Sequence, residues 1–189
     1  MILPIVAYGH PTLKKVAAEI EADYPGLNDL IANMFETMYF SSGVGLAAPQ
    51  VNYSIRLFIV DGTVMVDDFP ELAEFKKVFI NPTILEDRGE DKKAEEGCLS
   101  IPHIREVVER PDIVRIEYYD EKWQYHDEVF EGMAARIIQH EYDHLEGILF
   151  VEKISPLRKT IISRKLREIS AGNVDVAYRM IFPSKKNLK

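Results

Sequence analysis

The segment His140–His144 places two histidines four residues apart, with Glu141 directly after the first. On a helix, residues four apart lie one turn apart on the same face, so both imidazoles can bind one metal ion. Glu141 is offset by about 100° around that helix, where it can take a proton from water without being a ligand. Three fixed letters in five residues also occur by chance, so two ordinary histidines on an amphipathic helix stay the alternative unless a third ligand is found.

The only cysteine is the best candidate for that third ligand. No histidine or cysteine follows His144, where Glu146 and Glu152 offer carboxylates. Free cysteines are most often small buried hydrophobes, but Cys98 follows two acids and a glycine instead of an apolar strand. A thiolate and two imidazoles leave a fourth coordination position open, which is typical of catalytic rather than structural zinc sites. The sequence therefore favours a catalytic metal site formed by Cys98, His140 and His144.

A third segment, Gly43–Gln50, reads Gly-Val-Gly-Leu-Ala-Ala-Pro-Gln. Any globular protein can contain such a helix stop followed by a turn of small residues. The alternative is functional: small residues let a peptide-like ligand approach the backbone, and Gln50 supplies an uncharged N–H donor. A Walker loop is excluded, because the segment has no Gly-Lys-Ser/Thr.

These segments must be positioned by secondary structure, which hydrophobic periodicity and capping residues indicate. The expected helices are a short one from Pro11 to about Ile20, a second over Leu27–Phe40, a central one over Met133–Leu145 and a last one from Ser155-Pro156 to about Ser170. The expected strands are Ile55–Val60, Val78–Pro82 ended by a turn, Ile113–Tyr119, and a partner strand ending near Phe130, whereas residues 62–76 give no clear pattern. The predicted fold class is α+β, with antiparallel strands surrounding the central helix and a helix at the C-terminus. A doubly wound sheet is excluded, because strands and helices do not alternate.

Length and composition fit one ordinary globular domain over residues 1–189, of which 47% are apolar. One cysteine cannot form an intrachain disulfide. The N-terminus does not resemble a signal peptide, and no apolar run approaches the roughly 20 residues that span a bilayer. We therefore expect a cytoplasmic protein with no membrane partner.

The net charge of −8 combines two parts of opposite sign. Residues 1–155 carry 14 basic and 29 acidic side chains, whereas residues 156–189 carry 9 basic and 2 acidic ones. The acidic part argues against a general nucleic-acid binder, DNA included. The basic C-terminal part predicts either a solvated helix face or a local contact with a polyanion such as RNA.

The three segments, in this order, resemble the signature motifs of the peptide deformylase family. They are Gly43–Gln50, Glu96–Ser100 (Glu-Gly-Cys-Leu-Ser) and Gln139–His144 (Gln-His-Glu-Tyr-Asp-His). All fixed letters of the family motifs are present. The resemblance implies a compact α+β domain around the central helix, and hydrolysis of the N-formyl group from the initiator methionine of nascent polypeptides, with release of formate.

The resemblance also implies a role for each site residue. Cys98, His140 and His144 would hold one divalent ion, with Fe(II) as the native metal and Zn(II), Ni(II) or Co(II) as substitutes in preparations. Glu141 would be the general base, and the oxyanion donors would be the Gln50 amide and the Leu99 N–H.

The substrate would bind in the same cleft. The backbone of Val44, Gly45 and Gly97 would pair with it like an added strand. Met133 and Ile137 would line the methionine pocket, although Arg136 beside them is unexpected there. The basic C-terminal helix resembles that of the common bacterial type, which can dock on the ribosome.

Two pairings and two alternative functions remain open at this stage. Glu96 could be neutralised by Arg105 and Arg110, and Asp143 could orient a ligand, pair with a buried arginine such as Arg110, or lie exposed. One alternative function is another metal-dependent amidase or peptidase with the same helix motif. The other is a catalytically silent relative that binds nascent chains or RNA through the basic tail.

Overall fold

The computed structural model describes residues 1–183 and is a mixed α+β structure in this part of the chain. The helices are α1 (Leu27–Phe40), α2 (Gly132–Leu145) and α3 (Pro156–Ser170). The strands are β1 (Ile5–Val6), β2 (Gly45–Ala47), β3 (Leu57–Asp61), β4 (Lys76–Cys98), β5 (Ile101–Tyr119), β6 (Tyr125–Glu131) and β7 (Met180–Ile181). The predicted fold class is confirmed.

Five strands form one antiparallel sheet in the order β2-β3-β4-β5-β6. Each strand pairs with the next one along the chain. The longest pairing in this sheet is that of β4 with β5. Strands β1 and β7 form a separate parallel pair, which the prediction of antiparallel strands did not include. This second pair brings the last described strand back to the N-terminus.

Helix α2 packs against β2, β3 and β5 and is the central helix that the sequence predicted. Its apolar face buries Ala134, Ala135, Ile138 and Leu145. Gly147 follows the helix with φ +70°, and a Cβ there would lie 2.8 Å from the carbonyl carbon of Lys14. A glycine is therefore required for the chain to turn away from the N-terminal segment.

The other two helices have the predicted bounds. In α1, the buried residues recur at helical spacing and are Leu27, Leu30, Ile31, Met34 and Met38. In α3, the Ser155 hydroxyl accepts a hydrogen bond from the Arg158 N–H, and Pro156 occupies the first turn. Its buried side, with Ile162, Leu166 and Ile169, packs in the cluster of the β5 residues Ile101, Ile104 and Val108.

Two local predictions were wrong. The helix expected from Pro11 to about Ile20 is only a single 3₁₀ turn, Pro11–Lys14. The chain does not continue as a helix, because Ala18 forms a parallel β-bridge with Ile55. The strand expected to end at Asn81-Pro82 continues as β4. Asn81 takes φ +47° at a register shift, and its side-chain amide bonds both the N–H and the carbonyl of Ile20. The turn signal therefore marks a β-bulge.

Residues 62–76 contain two short 3₁₀ turns, Thr63–Met65 and Pro70–Leu72. Leu72 and Phe75 anchor this segment in the core, which explains how it is fixed without a regular element. Within residues 1–183, no helix combines the length and the apolar composition needed to cross a membrane.

Candidate active site

The three predicted metal ligands come together where the end of β4 meets α2. Their ligand atoms, on Cys98, His140 and His144, lie within 4.8 Å of one another. The Cys98 Sγ lies 3.3 Å from the His144 Nε2. The strand end supplies the thiolate and one helix face supplies both imidazoles, as the spacing predicts.

A buried carboxylate fixes the orientation of His140. The His140 Nδ1 donates a hydrogen bond of 2.9 Å to Glu96 Oε2, which leaves the His140 Nε2 to face Cys98 and His144. Such a partner holds the ring in the tautomer that a metal ion requires. The donor set of one thiolate and two imidazoles suits a divalent transition-metal ion, so these residues fit the ion that the sequence implies.

Glu96 belongs to a buried ionic network. Arg110 donates to both of its oxygens, at 2.6 and 2.9 Å, and also to Asp143 Oδ2 at 2.8 Å. Arg136 Nη1 donates to Glu96 Oε1 at 2.8 Å. Burial by itself would raise the pKa of Glu96, but the hydrogen bonds from Arg110 and His140 lower it far below its ordinary value. Glu96 therefore remains an anion that both arginines neutralise.

This network tests the pairings expected from the sequence. Arg110 neutralises Glu96 as expected, but Arg105 does not, because it is exposed and its Nε lies 3.6 Å from Glu95 Oε2. Asp143 pairs with Arg110 and does not lie exposed.

Glu141 lies beside the ligand cluster and points into the same cleft. Its side chain is buried, and its Oε2 has no hydrogen-bond partner among residues 1–183. Burial raises the pKa of Glu141 to about 7. A carboxylate with such a pKa and an unused oxygen is suited to exchange a proton near neutral pH.

Gln50 and Leu99 both lie beside Cys98. The Gln50 Oε1 accepts the Ala47 N–H at 2.9 Å, which directs its Nε2 toward Cys98 Sγ at 3.3 Å and Ser100 Oγ at 3.4 Å. The side-chain amide is therefore fixed by its surroundings. Leu99 directly follows β4, so its backbone lies at the same point of the cleft.

A cavity of about 860 Å³ joins these residues. Every predicted site residue except His144 lines it, namely Val44, Gly45, Gln50, Gly97, Cys98, Leu99, Met133, Ile137, His140 and Glu141. His144 lies behind Cys98 and is 1% exposed. The structure thus brings the three sequence motifs into one cleft.

Several residues of the cavity wall were not expected from the sequence. Met65 and Phe69 come from the segment 62–76, and Val176 and Tyr178 come from the chain after α3. No local pattern marks them, because only the tertiary structure carries these segments to the cleft. Arg136 was recognised as unusual, and its guanidinium bonds Glu96 and two backbone carbonyls.

Comparison with known proteins shows the family to which the chain belongs. The family model described as polypeptide deformylase matches residues 2–160. A peptide deformylase from Christiangramia forsetii is 52% identical, with 100% of both chains covered.

Solved structures show the same relationship. The peptide deformylase from Legionella pneumophila has a TM-score of 0.79 at 36% identity, covering 92% of this chain and 98% of that one. A Met-ala-ser-bound class I type b peptide deformylase from Acinetobacter baumannii has a TM-score of 0.72 at 40% identity, covering 82% and 99%. The chain described here therefore belongs to the polypeptide deformylase family.

Proposed function

We propose that this protein is a metal-dependent hydrolase that removes the N-formyl group from formyl-methionyl nascent polypeptides and releases formate. The observation that carries the proposal is the buried Glu141 carboxylate, unpartnered at one oxygen, beside the donor set Cys98, His140 and His144 in one cleft. Family membership supports the same reaction.

The three ligands would hold one divalent ion. When bound, such an ion lowers the pKa of a water molecule toward neutrality and polarises a carbonyl oxygen. The protein contributes the geometry: Glu96 holds His140, and Arg110 and Arg136 hold Glu96. Loss of such supporting contacts typically weakens metal binding about 10- to 100-fold.

Glu141 is the proposed general base and acid. Its carboxylate accepts the proton of the water that attacks the formyl carbon. It then passes that proton to the departing amine, so that formate and a free N-terminus are formed. Its pKa of about 7 suits both transfers near neutral pH.

Gln50 and Leu99 are the proposed donors to the formyl oxygen as it gains negative charge. The Gln50 Nε2 is fixed beside Cys98, and the Leu99 N–H belongs to the next residue of the chain. Removal of one donor of this kind typically costs about a hundred- to a thousandfold in rate.

The substrate is proposed to bind as an added strand between two backbone segments. Val44, Gly45 and Gly97 all line the cleft, where their backbone groups could pair with a peptide. Met133 and Ile137 lie on the α2 side and form an apolar wall for the methionine side chain. The Arg136 guanidinium hydrogen-bonds Glu96 and the carbonyls of Lys92 and Val108. The Glu96 carboxylate therefore neutralises its charge.

Formate release is the direct test. Protein loaded anaerobically with one defined metal should release formate from formyl-Met-Ala-Ser and leave unblocked Met-Ala-Ser intact. Cys98→Ala, loaded in the same way, should bind the metal more weakly and lose activity. Cleavage of the unblocked peptide without formate release would instead support another metal-dependent peptidase.

For the native ion we propose Fe(II), which the family resemblance implies, with Zn(II), Ni(II) or Co(II) as possible substitutes. A thiolate ligand and an oxidisable metal make the site sensitive to oxygen. Activity of Fe(II)-loaded protein should decay in air, while Ni(II)-loaded protein keeps its activity. Equal lifetimes of both preparations under oxygen would contradict the Fe(II) proposal.

For the basic C-terminal part we propose a contact with the ribosome through α3. Arg158 is not available for it, because its guanidinium bonds both oxygens of the buried Glu106. Lys159, Arg164 and Lys165 are exposed on the helix and are the basic residues we propose for this contact. The basic residues at 185, 186 and 189 lie outside the described part of the chain.

Charge reversal tests this contact. Changing Lys159, Arg164 and Lys165 together to glutamate should reduce co-sedimentation with ribosomes at low salt, because phosphate contacts dominate such binding. A matched variant reverses the exposed basic residues of β4, Arg88, Lys92 and Lys93, with the same change in net charge. Equal binding by both variants and the wild type would reject the contact.

A further inference from the structure

The chain between α3 and β7 returns to the candidate active site. We call residues 173–179 the C-terminal strap. Exposure alternates along it: Val174, Val176 and Tyr178 face the body of the protein, whereas Asp175 and Ala177 are exposed. The segment has no regular secondary structure and bends at residues 177 and 178, and its less exposed residues are half-buried. The family model ends at residue 160, so the strap lies outside the matched residues.

Contacts at both ends hold the strap in place. Near its start, the His103 ring nitrogen Nε2 lies 2.7 Å from the Asp175 carbonyl oxygen. At its end, the Ile5 N–H donates to the Arg179 carbonyl at 2.9 Å, and β7 then pairs with β1. Tyr178, one residue before Arg179, is thereby held at a defined position along the cleft.

Tyr178 contacts the connection that carries Cys98 and Leu99. Strand β4 ends at Cys98 and β5 begins at Ile101, so Leu99 and Ser100 form a two-residue connection. The Tyr178 hydroxyl donates to the Leu99 carbonyl at 2.8 Å.

Two further hydrogen bonds reach the same connection from other parts of the chain. The Tyr8 N–H donates to the Ser100 carbonyl at 2.9 Å, and Gln50 Nε2 lies 3.4 Å from the Ser100 Oγ. Ser100 is thus fixed from two elements, whereas the Leu99 carbonyl is fixed by the strap. The orientation of the Leu99 backbone therefore depends on Tyr178.

The chemistry of Tyr178 suits a permanent donor. Its ring packs against the cluster that includes Leu46 and Met38, and Leu99 packs there too. Burial, with the nearby Cys98, raises the pKa of Tyr178 to about 12. The hydroxyl keeps its proton at any pH at which the protein works.

We propose that Tyr178 is a positioning residue for the reaction, because its hydroxyl fixes the Leu99 main chain and thereby aims the Leu99 N–H at the formyl oxygen. The proposal rests on the proposed function in one respect, namely that the Leu99 N–H donates to that oxygen. Misplacement of a reacting group by about 1 Å can cost up to a hundredfold in rate. Loss of one such hydrogen bond, with the ring still in place, should cost about tenfold.

The test is the Tyr178→Phe variant of the full chain, which removes the hydroxyl and keeps the ring. We expect kcat for formyl-Met-Ala-Ser to fall about tenfold while KM stays within twofold, because phenylalanine keeps the ring that lines the cavity and removes only the hydroxyl that bonds Leu99. The wild type is measured first. If it releases no formate, the proposed function fails, which is a separate result from failure of the Tyr178 proposal.

Tyr118→Phe is the matched control. Tyr118 is buried, whereas Tyr178 is half-buried, and Tyr118 bonds Glu128 and Lys77 but does not line the cavity. This control should keep the wild-type kcat even if its unfolding temperature falls. An equal loss of kcat in both variants would overturn the proposal, because the effect would then reflect general destabilisation.

Amide hydrogen exchange of residues 98–101 gives a readout that does not depend on activity. Exchange there should be faster in Tyr178→Phe than in the wild type and in Tyr118→Phe. Unchanged exchange, or an unchanged kcat in Tyr178→Phe, overturns the proposal.

Discussion

The carboxylate of Glu96 connects the proposed metal site to the interior of the protein. It accepts hydrogen bonds from His140, Arg110 and Arg136, and its side chain is 5% exposed. Arg110 also bonds Asp143, so the network joins two arginines to two carboxylates. Charges buried together stabilise a structure only if all partners are present, because each charge loses its hydration. We therefore expect the identity of this residue to affect both folding and metal binding.

Glu96→Gln tests the two effects separately. The variant should lose about 3–5 kcal/mol in the free energy of unfolding, because Arg136 keeps its charge without a carboxylate partner and Arg110 keeps only Asp143. It should also bind metal about 10- to 100-fold more weakly, since His140 loses its charged partner. Urea unfolding and competition with a metal-binding dye measure the two quantities.

Glu106→Gln is the control for Glu96→Gln. Glu106 is equally buried and pairs with Arg158, on the α3 side of β5. The Glu106→Gln variant should have a lower free energy of unfolding than the wild type and an unchanged metal affinity. If both variants weaken metal binding equally, Glu96 has no specific part in holding His140.

Glu141→Gln tests the general base. The amide has nearly the same shape but cannot accept a proton, so kcat should fall by about two to four orders of magnitude while metal content stays at the wild-type level. The comparison is Glu146→Gln, at the end of the same helix, where the carboxylate bonds Arg56 and faces away from the cleft. Substantial turnover by Glu141→Gln would reject the assignment.

At the scale of elements, the catalytic geometry depends on the close approach of β2 to α2. Gly45 lies directly against the Glu141 side chain, and a Cβ at this position would lie within 2.8 Å of its Cγ and Cδ atoms. Only a glycine at position 45 leaves enough space for the Glu141 carboxylate. The small residues of the first motif therefore have a structural reason in addition to the expected pairing with a substrate backbone.

Gly45→Ala should retain the fold and lower kcat by about a hundredfold, because Glu141 must move away from its position. Gly97→Ala is the comparison, since a Cβ there comes closest to the flexible Arg105 side chain, at 3.2 Å, and its nearest backbone atom, the Ile104 oxygen, lies at 3.7 Å. We expect that variant to raise KM more than it lowers kcat. Steady-state kinetics with formyl-Met-Ala-Ser separates the two, and equal kcat values for both variants would contradict the steric argument.

At the scale of the whole molecule, we propose that residues 1–189 form one domain. The central helix contacts the sheet, and α1 and α3 pack against the two sides of this core. The pairing of β1 with β7 ties residues from both ends of the described chain together. A single cooperative unfolding transition by two spectroscopic probes is the expected behaviour.

The pH dependence of that transition should depend in part on Asp61. Burial by itself would raise the pKa of Asp61, but hydrogen bonds from Thr63 and Tyr39 and the charge of Lys76 lower it below its ordinary value. A carboxyl with a lowered pKa in the folded state stabilises the fold above its unfolded pKa of about 4. This stabilisation is lost as the pH falls through the folded value.

Asp61→Asn should therefore be less stable than the wild type at pH 7, by about 1–3 kcal/mol, and the difference should shrink near pH 3. Urea unfolding at both pH values measures it. Asp67→Asn, the same substitution at an exposed position, is the control. A difference for Asp61→Asn that is the same at both pH values would contradict the linkage.

The sequence by itself determined what depends on local spacing. The bounds of α1 and α3 and the helical placement of His140 and His144 follow from periodicity and capping within a few residues. The three motifs likewise indicated the family, which the comparisons confirm. The ligand set and the roles of Glu141, Gln50 and Leu99 remain predictions that the geometry supports.

Only the tertiary structure decided what depends on distant parts of the chain. The turn predicted at Asn81 is a β-bulge instead, because the Asn81 side chain is hydrogen-bonded to Ile20, 61 residues away. Arg136 became a partner of Glu96 because α2 packs against β5. Tyr178 and Leu99 are 79 residues apart in the sequence. The Tyr178 hydroxyl reaches the Leu99 carbonyl because β7, which follows Tyr178, pairs with β1. Hydrogen bonds and ion pairs of this kind leave no periodic signal in the sequence, since each joins two positions whose separation only the fold sets.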